Sequence, residues 1–223
     1  VFADSDFVAA SNWLEKIVAP LGLDNIKVST GMMWYKPTKG GWSQVRAITR
    51  NLGDGLFHSI WSFIWGGSCA IDKKVFFKEK VPQVWGKAIF DDTSMSRHLR
   101  TLGYKIYFTP LAKVTQRESC SFTQFINQMT RSFAVNKKED RQTWFLALFL
   151  GSIPTISWFS GIALLSLSSA FYGYFILPAV LLFSVLIPRV LGGLFLYHSR
   201  KENPVFIYLL PLADLVGAFC FIK

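Results

Sequence analysis

Four acidic residues carry the chemistry this sequence offers. Asp4 and Asp6 stand either side of Ser5, directly after the apolar opening Val1-Phe2-Ala3. Acids at the carboxyl end of a strand sit where open α/β sheets bind ligands. Two such carboxylates suit a hard divalent cation, Mg²⁺ or Mn²⁺, which in turn bridges a diphosphate. An Asp-x-Asp also arises by chance, so its place after a strand is what gives it weight. Asp91 and Asp92 are adjacent and precede a helical pattern. They read either as dipole-favoured residues of a first turn or as a general base that takes a proton from an attacking hydroxyl.

Three further groups have ambiguous chemistry. Gln128 and Arg131 lie three apart on one helical stretch, which predicts that they point together, with Arg131 toward a phosphate. A solvated polar face gives the same spacing. Gly66-Gly67-Ser68 would let the main chain approach a ligand, or form a turn. His58, with Trp61 and Trp65 near it, is either core packing or part of an apolar acceptor groove.

The elements that must position these residues follow from periodicity. The apolar opening at 1–3 reads as the end of a strand, and 25–34 and 104–108 alternate like strands. Residues 66–71 form another strand, followed by Asp72 capping a short KKVFFK turn. Residues 11–21 predict a helix capped by Ser11, with Leu14, Ile17 and Val18 on one face. A second helix over 92–103 begins at Asp92 or Thr93 and stops at Gly103. Residues 121–135 predict an amphipathic helix with Phe122, Phe125, Ile126, Met129 and Phe133 on its apolar stripe.

Charge divides the chain. Of the formal +10, all but +2 lies in residues 1–143. From Trp144 onward the apolar runs 144–167, 171–197 and 204–222 predict about three membrane segments. Lys137, Lys138 and Arg141 before the first run, and Arg200 and Lys201 in the loop 198–203, place both flanks on the cytoplasmic side. Two domains result, a basic α/β domain over 1–140 and an all-α membrane region over 141–223. The basic excess fits an anionic membrane surface or a phosphorylated substrate. Nucleic acid is set aside, since no basic helix, zinc finger or RNA-binding signature occurs. Cys69, Cys120 and Cys220 have neither metal-ligand nor disulfide spacing and read as reduced, structural residues. Oligomeric state is not legible.

Taken in order, D-S-D, G-G-S-C-A, F-D-D-T with LGYKIYFTP after it, Q-M-T-R and then apolar runs, the chain resembles membrane-bound family 2 glycosyltransferases of the GT-A fold. SFTQFINQMTRSF is similar to the ceramide glucosyltransferase version of the last motif. LLPLADL (209–215) resembles a late segment of ceramide glucosyltransferase-like and hopanoid-associated bacterial relatives. The resemblance implies the carboxyl-terminal half of a GT-A, Rossmann-like domain, followed by transmembrane helices. It implies that Asp4 and Asp6 hold the metal and the nucleotide diphosphate, and that Gly67 and Ser68 line the donor–acceptor cleft. Asp92 is then the base beside Asp91, and Gln128 and Arg131 bind the diphosphate or acceptor region. One position departs from the family pattern: Ser132 stands where the family has Trp, with Phe133 next. The opening on a strand end and the close in an apolar run predict truncation at both ends, and an inactive fragment of an active parent. The implied activity is inverting hexosyl transfer from a nucleotide-sugar, a UDP-sugar, to a lipid at the cytoplasmic face of a bacterial membrane. A processive polysaccharide synthase and a non-catalytic membrane scaffold remain alternatives.

Overall fold

A computed structural model describes residues 1–37, 40–61, 63–170, 173–184, 186–187, 190–191 and 210–222. It is a mixed α/β structure, 63% helical, built on a curled five-stranded sheet. The strands are β1 (Phe2–Ala3), β2 (Val8–Ala9), β3 (Val28–Tyr35), β4 (Ser68–Ile71) and β5 (Ile106–Gln116), in spatial order β1-β4-β3-β5-β2. Only β3 and β5 run parallel; the other pairs are antiparallel.

The two edge strands decide where the first acids go. β1 pairs Ala3 with Ser68, which lays Asp4 against the Gly66-Gly67 turn. β2 pairs Val8 with Thr115 at the far edge, which brings Asp6 to the end of β5. Residues 4–7 therefore cross one end of the sheet between its two edges.

β5 is longer than the alternation at 104–108 predicts. Pro110 reads in sequence as a break. The strand instead absorbs it in an irregularity, where the β3 pairing jumps from Thr30–Phe108 to Met32–Lys113. At that point a Cβ on Gly31 would stand 2.3 Å from both the Ala112 carbonyl and Ser68 Oγ, so only glycine fits.

The first helix is shorter than expected. α1 (Trp13–Val18) gives way to a 3₁₀ turn at Ala19–Gly22, because Pro20 cannot continue an α-helical ladder. Asn12, not Ser11, is at its cap position, and Ile17 alone of the expected face is buried, against the sheet. α2 (Gly41–Ile60) is a twenty-residue helix that the motifs did not announce. It starts after Gly40, whose φ of +80° favours glycine. α3 (Lys73–Lys78) is capped by Asp72 as expected, its carboxylate accepting from the Lys74 and Val75 amides. α4 is Val81–Trp85 and α5 is Asp91–Thr101. Asp91 and Asp92 both lie inside the first turn of α5, with Phe90 at the cap position, and Gly103 (φ +82°) closes its far end. α6 (Phe122–Glu139) opens with a reciprocal pair, in which Ser121 accepts from the Gln124 amide and Gln124 from the Ser121 amide.

After Asp140 the chain enters α7 (Arg141–Ala170), followed by α8 (Ile176–Ser184) and α9 (Leu210–Ile222). Residues 141–168 are long and apolar enough to cross a membrane, with mean hydropathy 1.6. Little of that stretch is covered by protein: Phe145, Phe149, Ile156 and Phe159 are each more than half exposed. Contiguous apolar surface of this kind is unlike the core helix of a soluble protein. α8 packs on α7 at Gly161, where a Cβ would come within 2.8 Å of the Phe183 ring. The basic loop 198–203 and Pro188-Arg189 lie outside the described residues.

The cores divide along the sheet. Cys69 and Ala70 are neighbours on β4 and so face opposite ways. Cys69 packs with Val28, Ile64, Met95 and Leu99 against α5. Ala70 packs with Ile17 and Ala112 under α1. A further core joins α2, α6 and α9 through Val45, Ile48, Phe125, Ile126, Ala213 and Val216. It ties the sheet domain to an apolar helix.

Candidate functional site

Asp4 is the first member of the site. Its amide donates to the Gly67 carbonyl at 3.2 Å. A Cβ on Gly67 would lie 2.3 Å from Asp4 Oδ2 and 2.2 Å from the Trp65 ring. The glycine is thus required for the carboxylate to lie flat on the turn. Gly66 does the same for the second pair of acids, its Cβ position being 3.3 Å from both Asp91 carboxylate oxygens and from Asp92 Cβ. The Gly-Gly turn therefore gathers Asp4, Asp91 and Asp92, three acids that are remote in sequence. Burial, then the charges of Asp6 and Asp91, raise the Asp4 pKa above the usual carboxylate range.

Such mutual repulsion is what a divalent cation relieves. Asp4 and Asp91 bring carboxylate oxygens to the same turn, hard donors of the type that Mg²⁺ or Mn²⁺ takes. Among the described residues no cluster of three or more His, Cys, Asp or Glu is already drawn together at metal-ligand spacing. Asp6 is engaged by Gln116, whose Nε2 donates to its Oδ2 at 3.2 Å.

Asp92 is held by the helix it begins. Its Oδ1 accepts from the Thr93 amide at 2.6 Å, and the Gly66 amide also donates to it. These bonds favour the charged form, but burial and the neighbouring Asp91 outweigh them and raise its pKa to about 6. A carboxylate tuned upward and still ionised at neutral pH is suited to accept a proton. Thr93 continues the fixation by donating to Asn136 Oδ1 of α6 at 3.0 Å.

Asp92 opens onto a cavity of about 230 Å³ between α2, α5, α6, α7 and α9. Its wall carries Thr93, Asn136, His58 and the Arg50–Asp54 ion pair (3.0 Å) among the rings of Phe57, Phe63, Trp65 and Phe90. The apolar helices line it too, through Thr143, Ala147, Leu150 and Gly151 of α7 and Ala213 and Gly217 of α9. Asp214, from the LLPLADL segment, is part of the same wall, and Trp158 Nε1 donates to its Oδ2 at 3.2 Å. One cavity thus joins a raised-pKa carboxylate to the surface of apolar helices.

His58 stacks on Phe108 at 5.2 Å, and its buried Nδ1 has no hydrogen-bond partner among the described residues. Burial lowers its pKa to about 4, so it is neutral at pH 7. Of the two readings of the HSIWSFIW stretch, the structure gives His58 a cavity wall rather than a closed core.

Three of the expected site residues are placed differently from expectation. Ser68 is fully buried, and its Oγ accepts from Trp13 Nε1 at 2.8 Å, so it supports the turn from behind and lines no cleft. Gln128 and Arg131 do not converge. Arg131 is exposed and rests on the Phe90 ring at 4.9 Å, beside the start of α5. Gln128 lines a separate polar pocket near the end of β5. The 100° step per residue leaves three-apart side chains 60° away from alignment. That is enough here for them to meet different neighbours. Ser132 and Phe133 both line the main cavity, so the aromatic displaced by one position still faces the same space.

Motif reading singled out His58 but passed over Arg50 and Asp54 of the same helix. The three recur at four-residue spacing, a helical signal interrupted to the eye by Gly53 and Gly55. The cysteines are buried and free, and burial pushes the Cys69 thiol up to about 12, in keeping with a structural role.

No protein-family model matches this chain. No curated protein matches it significantly.

Proposed function

We propose that this chain belongs to an inverting glycosyltransferase of the membrane-bound family 2, GT-A kind. It moves a hexosyl group from a UDP-sugar to a hydroxyl of a lipid, at the cytoplasmic face of the membrane to which α7 belongs. The observation that carries the proposal is the cavity that Asp92 shares with the apolar helices α7 and α9. A soluble acceptor has no need of a binding space walled by α7 and α9, whereas a lipid headgroup enters it from the bilayer.

In this account Asp92 accepts the proton of the lipid hydroxyl as its oxygen attacks the anomeric carbon. Burial, with Asp91 beside it, keeps the Asp92 pKa high, and the Thr93 and Gly66 amides hold the carboxylate in place. His58, neutral and facing the same space, accepts or donates a hydrogen bond to the acceptor. Asp4, Asp6 and Asp91 would hold a Mg²⁺ or Mn²⁺, which neutralises charge on the departing nucleoside diphosphate when bound. Gly66 and Gly67 keep the main chain low enough for donor and acids to meet. Arg131, at the mouth beside Phe90, offers its charge to the same diphosphate.

The test is to incubate membranes containing the full gene product with radiolabelled UDP-sugars and either metal, and then to extract the lipids. A discrete, metal-dependent labelled lipid is expected. Label confined to insoluble polymer would move the assignment to a synthase. No label with any donor would leave a non-catalytic membrane protein.

A further inference from the structure

Where α6 turns into α7, the loop that leads to the acidic pair meets the same corner. The Glu139 carboxylate accepts from the main-chain amides of Ile89 (2.5 Å) and Phe90 (3.4 Å), and Arg97 Nη1 of α5 donates to the Glu139 carbonyl at 2.7 Å. The 86–90 loop is thereby fixed at the entrance to the apolar helix, which begins at Arg141. Cations collect there. Lys87, Arg97, Lys137, Lys138 and Arg141 are all exposed. Of these, Lys87, Lys138 and Arg141 form no ion pair among the described residues. The acids nearby are engaged elsewhere. Glu139 holds the two loop amides, Asp140 pairs with Arg100, and the Asp91 carboxylate is turned to Gly66. Beside Lys87, the Ile89 side chain is 56% exposed. Lys137 lies over the Trp144 ring at 5.3 Å. A basic side chain over an indole in the first turn of an apolar helix suits a membrane–water interface, with the ring at headgroup level and the charge among the headgroups.

We propose that this corner is a docking surface for the anionic lipid headgroups of the membrane that α7 enters, with Ile89 as its apolar anchor. Charge and position choose the occupant. The patch is net positive and continuous in the chain with the apolar helix. A basic segment beside a membrane span is drawn to an anionic leaflet over about one Debye length, ~8 Å at physiological salt. Lys87 and Ile89 are no part of the α7 flank in sequence; they arrive from another element and are held there by Glu139. Their loop runs directly into Asp91 and Asp92, and Trp85 Nε1 ahead of it donates to the Asp91 carbonyl at 3.0 Å. The headgroup layer therefore bears on the segment that carries the carboxylate site. The docking surface requires α7 in a bilayer and holds whatever reaction Asp92 serves.

The test uses the full gene product reconstituted in lipid nanodiscs, with an environment-sensitive fluorophore attached to an Ile89→Cys variant. The native cysteines are buried, and wild type treated alike gives the background. The discs hold phosphatidylcholine alone or phosphatidylcholine mixed with phosphatidylglycerol. Phe149→Cys, labelled in the same way at an exposed position of α7, reports the bilayer itself. The label at position 89 should emit at shorter wavelength in the anionic discs than in the neutral ones. About 1 M NaCl, where the Debye length is ~3 Å, should reverse that shift. Lys87→Glu combined with Lys138→Glu, both at exposed positions, should abolish it with an unchanged melting temperature. A label at position 89 that stays in water in both lipids overturns the docking surface, as does a shift that is equal in both lipids or survives the double charge reversal. A label at position 149 that is in water overturns the membrane role of α7 and the docking surface together. With position 149 in lipid and position 89 in water, the docking surface alone falls.

Discussion

At the residue scale the account turns on Asp92. Its pKa, raised to about 6, sets both a rate profile and a stability profile. As a base it works ionised, so kcat/KM should rise with pH to a plateau above about 6. His58, lowered to about 4, adds no limb in that range. Stability runs the other way. A folded-state carboxylate pKa above the unfolded value means that the fold binds the proton more tightly. That contribution is fully present below the ordinary carboxylate pKa and is lost as pH rises through about 6. Asp92→Asn should therefore melt no lower than wild type at pH 7.5, although it removes the base; calorimetry at pH 5 and pH 7.5 checks the sign. Ser132 gives a second prediction. Its Oγ donates to the Gln128 carbonyl, and its position opens on the main cavity. Ser132→Trp should fill space that the acceptor needs, raising the lipid KM several-fold with little change in the UDP-sugar KM. A variant with both constants unchanged would remove the acceptor from this cavity.

Among the elements, the junction between the sheet domain and α7 is held by a buried polar network. Asp140, nearly fully buried, pairs with Arg100 of α5 and accepts from the Thr143 hydroxyl at 2.6 Å. Arg100 also lies over the Trp61 ring at 4.9 Å, and Trp61 Nε1 donates to the same Thr143 at 2.8 Å. One knot thus ties the ends of α2 and α5 to the α6–α7 corner. Breaking one partner of a buried pair costs about 3–5 kcal/mol. Asp140→Ala should lower stability by that order in a denaturant titration of the detergent-solubilised protein, while Lys138→Ala nearby should cost under about 1 kcal/mol. Legibility in sequence follows the same boundary between local and non-local forces. Asp72, Gly103 and the Ser121–Gln124 pair announce helix ends because capping is decided within four residues. β5 beyond Pro110 was not legible, because its pairing with β3 depends on a distant partner. α2 went unread: Val45, Ile48 and Leu52 carry a helical spacing, but Gly53 and Gly55 interrupt the stretch. The gathering of Asp4, Asp91 and Asp92 was visible as motif order and not as contact. No local rule states that β1 pairs with β4.

For the whole molecule, the claim is that one cavity joins a carboxylate site to a bilayer. α7 leaves most of its apolar side chains uncovered, and over 28 residues it reaches about 42 Å, beyond the ~30 Å hydrocarbon core. The gene product should accordingly stay with membranes through carbonate extraction; release into the supernatant would contradict the role given to α7. The same architecture explains why Ser68, a motif residue, is structural. It braces the turn from the α1 side, whereas Gly66 and Gly67 face Asp4, Asp91 and Asp92.

The most direct measurement compares wild type and Asp92→Asn in one membrane preparation, reading sugar transfer to extracted lipid and UDP binding together. The account predicts that transfer falls by about 10²–10⁴-fold, the contribution of a positioned general base, while UDP binding is retained. Full turnover by Asp92→Asn would contradict it.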